Sequence, residues 1–334
     1  MTNHSQDHAE SPPRRENDAV ASIRGPNAKA PHFVDLQVNG YAGADFNSDD
    51  LSVDAMRAAC RRLRADGVAG ILATVITDRP AAMLDRLARI AALRDQDPLI
   101  ADVVWGIHIE GPFLNAEPGY IGAHPVDAAR PADADFTRQL LEAAGGLTRI
   151  FTLAPECDPR FEVTRLLADE GIIVSAGHCN PDLETLRRAI DAGLSMFTHL
   201  GNGCPLQLHR HDNVIQRALN LADHLWIGLI ADGVHVPYPA LANYLRCAGL
   251  DRALVVTDAI SAAGLGPGTY QFGGQQVLVD EQLATWSADR SHLMGSAGTM
   301  PRTAQNLRTA LELTDQQVAQ LTSDNPRKIL RAER

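Results

Sequence analysis

The stretch Gly106–Leu114, GIHIEGPFL, runs an apolar, strand-like segment into a carboxylate and then breaks at Gly-Pro. A glutamate is rarely buried unless it is paired or binds a metal. A strand that carries Glu110 to its end and then turns away therefore reads as one that ends at a functional surface. His108 falls on the same strand side as Glu110 by the two-residue alternation of side chains. It is expected one layer deeper, as a supporting residue.

Working outward, similar apolar runs recur along the chain: HFVDLQVN (32–39), GILATVIT (70–77), DVVWGIHIE (102–110) and TRIFTLAPE (148–156). They continue as GIIVSAGH (171–178), LSMFTHL (194–200), LWIGLIADG (225–233) and ALVVTDA (253–259). Between them lie helical patterns such as SVDAMRAACRRLRADG and PDLETLRRAIDAG, each ending in the glycine common at helix C-termini. Strands alternating with helices predict an α/β fold, either a (β/α)8 TIM barrel or an open doubly wound sheet. The barrel is preferred because polar, ligand-type residues sit at the C-terminal ends of most of these strands, the face where such barrels do their chemistry. After the eighth strand, GLGPGTYQFGGQQVLVDEQLATWSADR reads as a Gly-rich loop with a hairpin. Helices are expected over 299–313 and 315–331.

The bulk properties narrow the function. The chain has 334 residues, 45% of them hydrophobic, enough for a large core, and a formal net charge of −11. That charge argues against nucleic acid as a partner, since phosphate backbones are bound by clusters of Lys and Arg. Five scattered cysteines without a CxxC pair fit a reducing cytoplasm better than a disulfide framework. No apolar stretch reaches the length of a membrane span. Residues 1–31 are polar and Pro-containing and are expected to form a disordered tail, with the barrel over 32–334.

The strand ends supply a coherent set of side chains. Strand three ends in Glu110, strand five in His178 and strand six in His199. Asp232-Gly-Val-His235 follows strand seven, and strand eight delivers Asp258 in VVTDA. One such histidine is more often a hydrogen-bonded structural residue than a ligand. Together, two imidazoles and a carboxylate make the ligand set of a catalytic divalent metal, with a position left for water. Asp258 suits a general base toward that water; a cap or turn residue is its alternative.

The segments DLQVNGYAGADFN, GIHIEGPFL, GAHP, SAGHCN, FTHLGN, ADGVHV, VTDA and GSAGTM occur in one order from residue 35 to residue 300. In combination they resemble the N-acetylglucosamine-6-phosphate deacetylases, a branch of the amidohydrolase superfamily. The resemblance implies one divalent metal, zinc first with iron, cobalt or manganese as alternatives, held by Glu110, His178 and His199. Gln37-Val38-Asn39 stands where many amidohydrolases have the HxH of a second metal, and amides are poor ligands for such an ion. His124 in GAHP would polarise the substrate carbonyl, and His235 with the Asn202-Gly203 backbone would hold the sugar. Arg210, eleven residues past His199 (210 − 199 = 11), would bind the phosphate, often across a homodimer in this family; a surface arginine serving solubility is its plain alternative. The reaction implied is metal-assisted hydrolysis of the acetamide of an amino sugar phosphate.

Two departures qualify this expectation. The family adds a small β-sandwich, whereas here the first barrel strand follows the polar tail and the last residues read NPRKILRAER. A barrel with little or no sandwich is therefore expected. The substrate loop reads Gly201-Asn202-Gly203-Cys204 and Arg210-His211-Asp212-Asn213, where the family has a bulky residue and a different Arg motif. Other N-acyl substrates thus stay in view: N-acetylgalactosamine 6-phosphate, an unphosphorylated sugar or an N-acyl amino acid. So does a non-catalytic sugar-phosphate binding protein.

Overall fold

The computed structural model describes residues 32–332; the segment 1–31, expected to be a disordered tail, lies outside the described residues. The first barrel strand is β1 (Phe33–Val38), followed by a small hairpin of β2 (Gly40–Tyr41) and β3 (Ala44–Asp45). The barrel continues with β4 (Val68–Ile76), β5 (Val104–Glu110), β6 (Thr148–Leu153), β7 (Ile173–Ala176), β8 (Leu194–Phe197), β9 (Trp226–Ile230) and β10 (Ala253–Val256). These eight strands form one sheet in sequential order, with every neighbouring pair parallel. The helices between them are α1 (Val53–Ala65), α2 (Pro80–Gln96), α3 (Pro98–Val103), α4 (Ala134–Ala143), α5 (Glu162–Asp169), α6 (Leu183–Asp191), α7 (Val214–Asn220) and α8 (Tyr238–Ala248). The (β/α)8 barrel read from the apolar runs is the fold of the chain, and among the described residues no β-sandwich accompanies it.

Local chemistry explains the elements. Helix α1 starts where the Ser52 hydroxyl accepts the Ala55 N–H, and it buries Met56, Ala59, Cys60 and Leu63 at helical spacing against the sheet. Strands β1 and β5 are buried on both faces, as parallel strands covered by helices must be. Alternate strand residues, among them Leu36, Leu72, Ile150, Ile173, Met196 and Leu254, fill the barrel interior.

The structure trims or corrects several sequence boundaries. Asp102 and Val103 were expected in strand three but end α3, because Pro98 opens that helix and the Asp97 carboxylate caps Leu99 and Ile100 N–H. Strand four stops at Leu153, and Pro155–Cys157 makes a single tight helical turn. Strands five, six and eight stop before His178, His199 and Asp258, whose φ angles are +51°, +32° and +53°. The Gly-rich segment is larger than a hairpin: β11 (Gly268–Phe272), β12 (Gln275–Val279) and β13 (Thr285–Ser287) form an antiparallel three-stranded sheet. The expected helices follow as α9 (Met300–Ala310), then α10 (Asp315–Ala319), a π-helical turn over Gln320–Asp324, and α11 (Asn325–Ala332). Ile329 of α11 belongs to the barrel-interior cluster, with Leu330 packed against it.

The seam between β1 and β10 closes differently from the other seven. A single parallel bridge joins Val38 to Ala259, and the Asn39 N–H donates to the Ala259 carbonyl at 2.7 Å. Below it the buried Asp35 carboxylate accepts from the Thr257 N–H (3.1 Å), the Thr257 hydroxyl (2.6 Å) and the Gln37 N–H (3.3 Å). Asp35 thus supplies acceptors where ladder bonds are missing. Burial pushes its carboxyl up to about 7, against the pull of these hydrogen bonds. The folded chain therefore keeps a proton that the unfolded chain releases near pH 4, so this contribution to stability is present below pH ~4 and lost as pH rises through about 7. Wild type is expected to lose stability relative to Asp35→Asn over that window, by an amount on the order of a few kcal/mol. Denaturant titrations at several pH values check it; a constant difference would mean that Asp35 is ionised in both states.

Candidate metal centre and active site

Glu110, at the last position of β5, is 2% exposed and looks into the mouth of the barrel with His178 and His199. Gly111 turns the chain away at φ +88°, and a Cβ there would meet the Thr77 Oγ1 at 1.9 Å, so only glycine fits. Thr77 in turn donates its hydroxyl to the Glu110 carbonyl at 3.0 Å. His199 Nε2 lies 3.0 Å from Glu110 Oε1, His178 Nε2 lies 3.3 Å from the same oxygen, and the two Nε2 atoms are 3.1 Å apart. Among the described residues this is the one cluster with the composition and spacing of a metal site.

The donor set fits a cation on two grounds. Ligand atoms around a tetrahedral ion with bonds of roughly 2.0–2.1 Å stand roughly 3.3 Å apart, close to the spacings seen here. The ring is also aimed: His178 Nδ1–H donates to the Tyr120 carbonyl at 2.7 Å, which turns Nε2 toward Glu110 and His199. The ring is held from both sides, since a Cβ at Gly203 would meet its Nδ1 at 2.8 Å and one at Gly122 its Cε1 at 3.0 Å. Burial opposes ionisation of Glu110, but hydrogen bonds from His178 and His199 hold its carboxyl well below the usual range. For His199 burial works against the proton and Glu110 outweighs it, raising the imidazole. The site is thus an anion among imidazoles, ready for a cation.

Gln37 is a component that sequence reasoning assigned only negatively, as a missing histidine. A register shift in β1 between Asp35 and Val38 re-aims the chain there. The Gln37 Nε2 then donates to both oxygens of Glu110, each at 3.2 Å. Gln37→Ala should weaken metal affinity by about 10–100-fold, the usual effect of removing a ligand's orienting partner. Competition with a chelator measures it, and an unchanged affinity would leave Gln37 a filler.

The other expected residues surround this centre. Asp258 Oδ1 accepts from Asn39 Nδ2 at 2.7 Å. Burial and then the Glu110 charge push the Asp258 carboxyl up to about 6, while His199 and His235 pull it down. His124 Nε2 stands 3.2 Å from His178 Nε2, and burial followed by the His178 charge brings His124 down to about 3, so its ring is neutral. His235 Nδ1 lies 2.6 Å from Asp232 Oδ2, and that bond overcomes burial to raise His235. Asn202 places both its N–H (2.9 Å) and its Nδ2 (3.1 Å) on the His199 carbonyl, clamping the turn that aims the ligand. One layer down, His108 meets the Leu36 carbonyl at 3.2 Å and the Thr152 hydroxyl at 2.7 Å, and burial brings its pKa down to about 4.

Glu110, His124, His178, His199, His235 and Asp258 face one cavity of about 530 Å³. Its far wall comes from the three-stranded sheet and the loop after it, with Phe272, Trp286, His292 and Leu293. Sequence reasoning missed this wall, since nothing in a Gly-rich hairpin says which way it folds. Trp286 is pinned there by its indole N–H on Asp280 Oδ2 at 2.9 Å. Arg210 does not line the cavity; it is exposed on the loop between β8 and α7. Among the described residues, no Lys or Arg lines the cavity.

Comparison with known proteins matches this geometry. No protein-family profile matches the chain. It is 36% identical to the N-acetylglucosamine-6-phosphate deacetylase of Bacillus subtilis (strain 168) over 303 residues, which is 90% of this chain and 74% of the relative. It is 32% identical to the N-acetylgalactosamine-6-phosphate deacetylase of Shewanella sp. (strain ANA-3), over 89% of this chain and 73% of that one. The structure superposes with a TM-score of 0.81 on a variant of the Mycobacterium smegmatis N-acetyl-D-glucosamine-6-phosphate deacetylase in complex with N-acetyl-D-glucosamine-6-phosphate. That match has 26% identity and covers 92% of this chain and 81% of the other. Sequence, barrel and buried Glu-His-His cluster agree, and the chain belongs to the N-acetylglucosamine-6-phosphate deacetylase family of amidohydrolases.

Proposed function

We propose that this chain hydrolyses the N-acetyl group of N-acetylglucosamine 6-phosphate, releasing acetate and glucosamine 6-phosphate. The observation that carries the reading is Asp258, a half-buried carboxylate in the cavity that Glu110, His178 and His199 also line. A protein that only bound the sugar phosphate would have no use for a base there. A single divalent cation on Glu110, His178 and His199, which we assign as zinc from the two-imidazole, one-carboxylate set, supplies a Lewis acid for the acetamide carbonyl and for the attacking water. Iron, cobalt or manganese are the competing ions for the same ligands.

The remaining steps belong to the side chains. Asn39 holds Asp258 Oδ1, which leaves Oδ2 to take a proton from the attacking water. Neutral His124 offers a ring N–H to the carbonyl oxygen as negative charge develops on it. Asp258 then returns the proton to the amine as the C–N bond breaks, so acetate and a protonated leaving group depart. His235, held by Asp232 through its Nδ1, and the Asn202-Gly203 backbone bind the sugar.

The phosphate needs a permanent cation, and among the described residues no Lys or Arg lines the cavity. We therefore assign that role to Arg210 of a second copy, reaching the cavity mouth in a homodimer, where Leu206 stands fully exposed. The working unit is the barrel over 32–334. The five free thiols and the phosphorylated substrate support a cytoplasmic site of action.

A turnover screen on metal-reconstituted protein tests the assignment, using N-acetylglucosamine, N-acetylgalactosamine and their 6-phosphates. The expected result is clear preference for N-acetylglucosamine 6-phosphate, lost in Arg210→Ala through KM. Equal rates on free and phosphorylated sugar would sink the phosphate assignment. Preference for the galacto epimer would move the substrate to the second reading, which the Shewanella relative favours.

A further inference from the structure

The pole of the barrel opposite the metal centre carries a second cavity, of about 360 Å³, whose lining is Arg94, Trp105, Arg149, Arg327, Leu330 and Arg331. Four guanidinium groups converge there in a chain with 41 acidic and 30 basic side chains, so the gathering runs against the overall charge. They come from separate elements: Arg94 from the end of α2, Arg149 from the start of β6, and Arg327 and Arg331 from α11.

Arg94 and Arg327 are oriented by uncharged groups. Arg94 Nε donates to the Val104 carbonyl at 3.0 Å. Arg327 lies over the Trp105 ring, 4.9 Å from its centroid, and donates to the His32 carbonyl at 3.3 Å. Among the described residues neither forms an ion pair, nor does Arg331. Burial, and then the charge of Arg331, bring Arg327 below its ordinary value, as expected of like charges brought together. Each guanidinium has five N–H donors in a planar fork that matches tetrahedral oxyanions. Leu330 and Trp105 add an apolar wall beside them.

We propose that this cavity is a binding site for a phosphate group, separate from the active site and unrelated to the amide hydrolysis carried out there. The ligand bridges α11, the floor of the barrel, to α2 and the N-terminal ends of β5 and β6. The phosphate is either the free ion or the phosphate of a sugar ester, since both present the same oxygens to the forks.

Tryptophan emission of the metal-loaded protein reads the site through Trp105. Inorganic phosphate and, separately, glucose 6-phosphate are titrated at constant ionic strength held with sodium chloride. The expected result is a saturable change that disappears in Trp105→Phe. Its midpoint should rise roughly tenfold or more in Arg94→Ala and in Arg331→Ala and stay put in Arg210→Ala. Tighter binding of glucose 6-phosphate assigns the site to sugar phosphates, and tighter binding of inorganic phosphate to the free ion. A change reproduced by chloride alone, or one that both arginine substitutions leave at its midpoint, overturns the proposal. So does a melting temperature that phosphate raises no more in wild type than in the Arg94→Ala, Arg331→Ala double variant.

Discussion

Asp258→Asn is expected to lower kcat on N-acetylglucosamine 6-phosphate by roughly 10²–10⁴-fold while the protein keeps its metal and its fold. The substitution preserves shape, and the Asn39 contact can be kept by the new amide oxygen. What it removes, in the proposed mechanism, is the base that takes the water's proton and returns it to the amine. One side chain serves both transfers, so the upper part of that range is the better expectation. The pH profile is the companion measurement. Burial and the Glu110 charge push Asp258 up to about 6 in the free protein, and a neighbouring cation lowers it again. The acid limb of kcat/KM in wild type should therefore lie at or below about pH 6. Wild-type turnover by the variant would remove Asp258 from the mechanism.

Glu110→Gln should be as damaging for a different reason. A glutamine amide is a poor ligand, and the swap also takes away the anion that His178 and His199 share. Elemental analysis after dialysis should find close to one equivalent of metal in wild type and less than about a tenth in the variant. Activity should fall in parallel and return in part at high added metal. A second tightly bound equivalent in wild type would contradict the single-metal reading, because Gln37 and Asn39 are engaged with Glu110 and Asp258 and offer no further ligand set.

Much of this was legible in the sequence because parallel strands covered by helices must be apolar on both faces. Eight apolar runs announced eight strands, and the polar ends of four of them, at Glu110, His178, His199 and Asp258, announced which pole is open. Strand ends were less legible, since Asp102 and Val103 look like strand residues until Asp97 and Pro98 start a helix before them. The centre itself was readable from residue type and position. His124 was not, because it sits on the long loop after β5, and only family resemblance singled it out. Nor could the sequence show that Gln37 grips both oxygens of Glu110, which depends on a one-residue irregularity in β1. The Trp286 wall and the arginine cavity assemble from segments far apart in the chain, and no local pattern encodes them.

His178, His199 and Asp258 share one further property: each sits at positive φ, just past the end of its strand. For residues with a Cβ that conformation is costly, on the order of 1 kcal/mol or more each, and it is tolerated where function demands it. The consequence is evolutionary. A lineage released from the need to turn over substrate would gain stability by accepting glycine or asparagine at 178, 199 and 258, the residues that settle most easily there. Loss of those three side chains would therefore be rewarded with a higher melting temperature. Selection for heat resistance alone would act on these three positions as it would on Ala42, Phe161 and Leu283, which share the conformation outside the cavity.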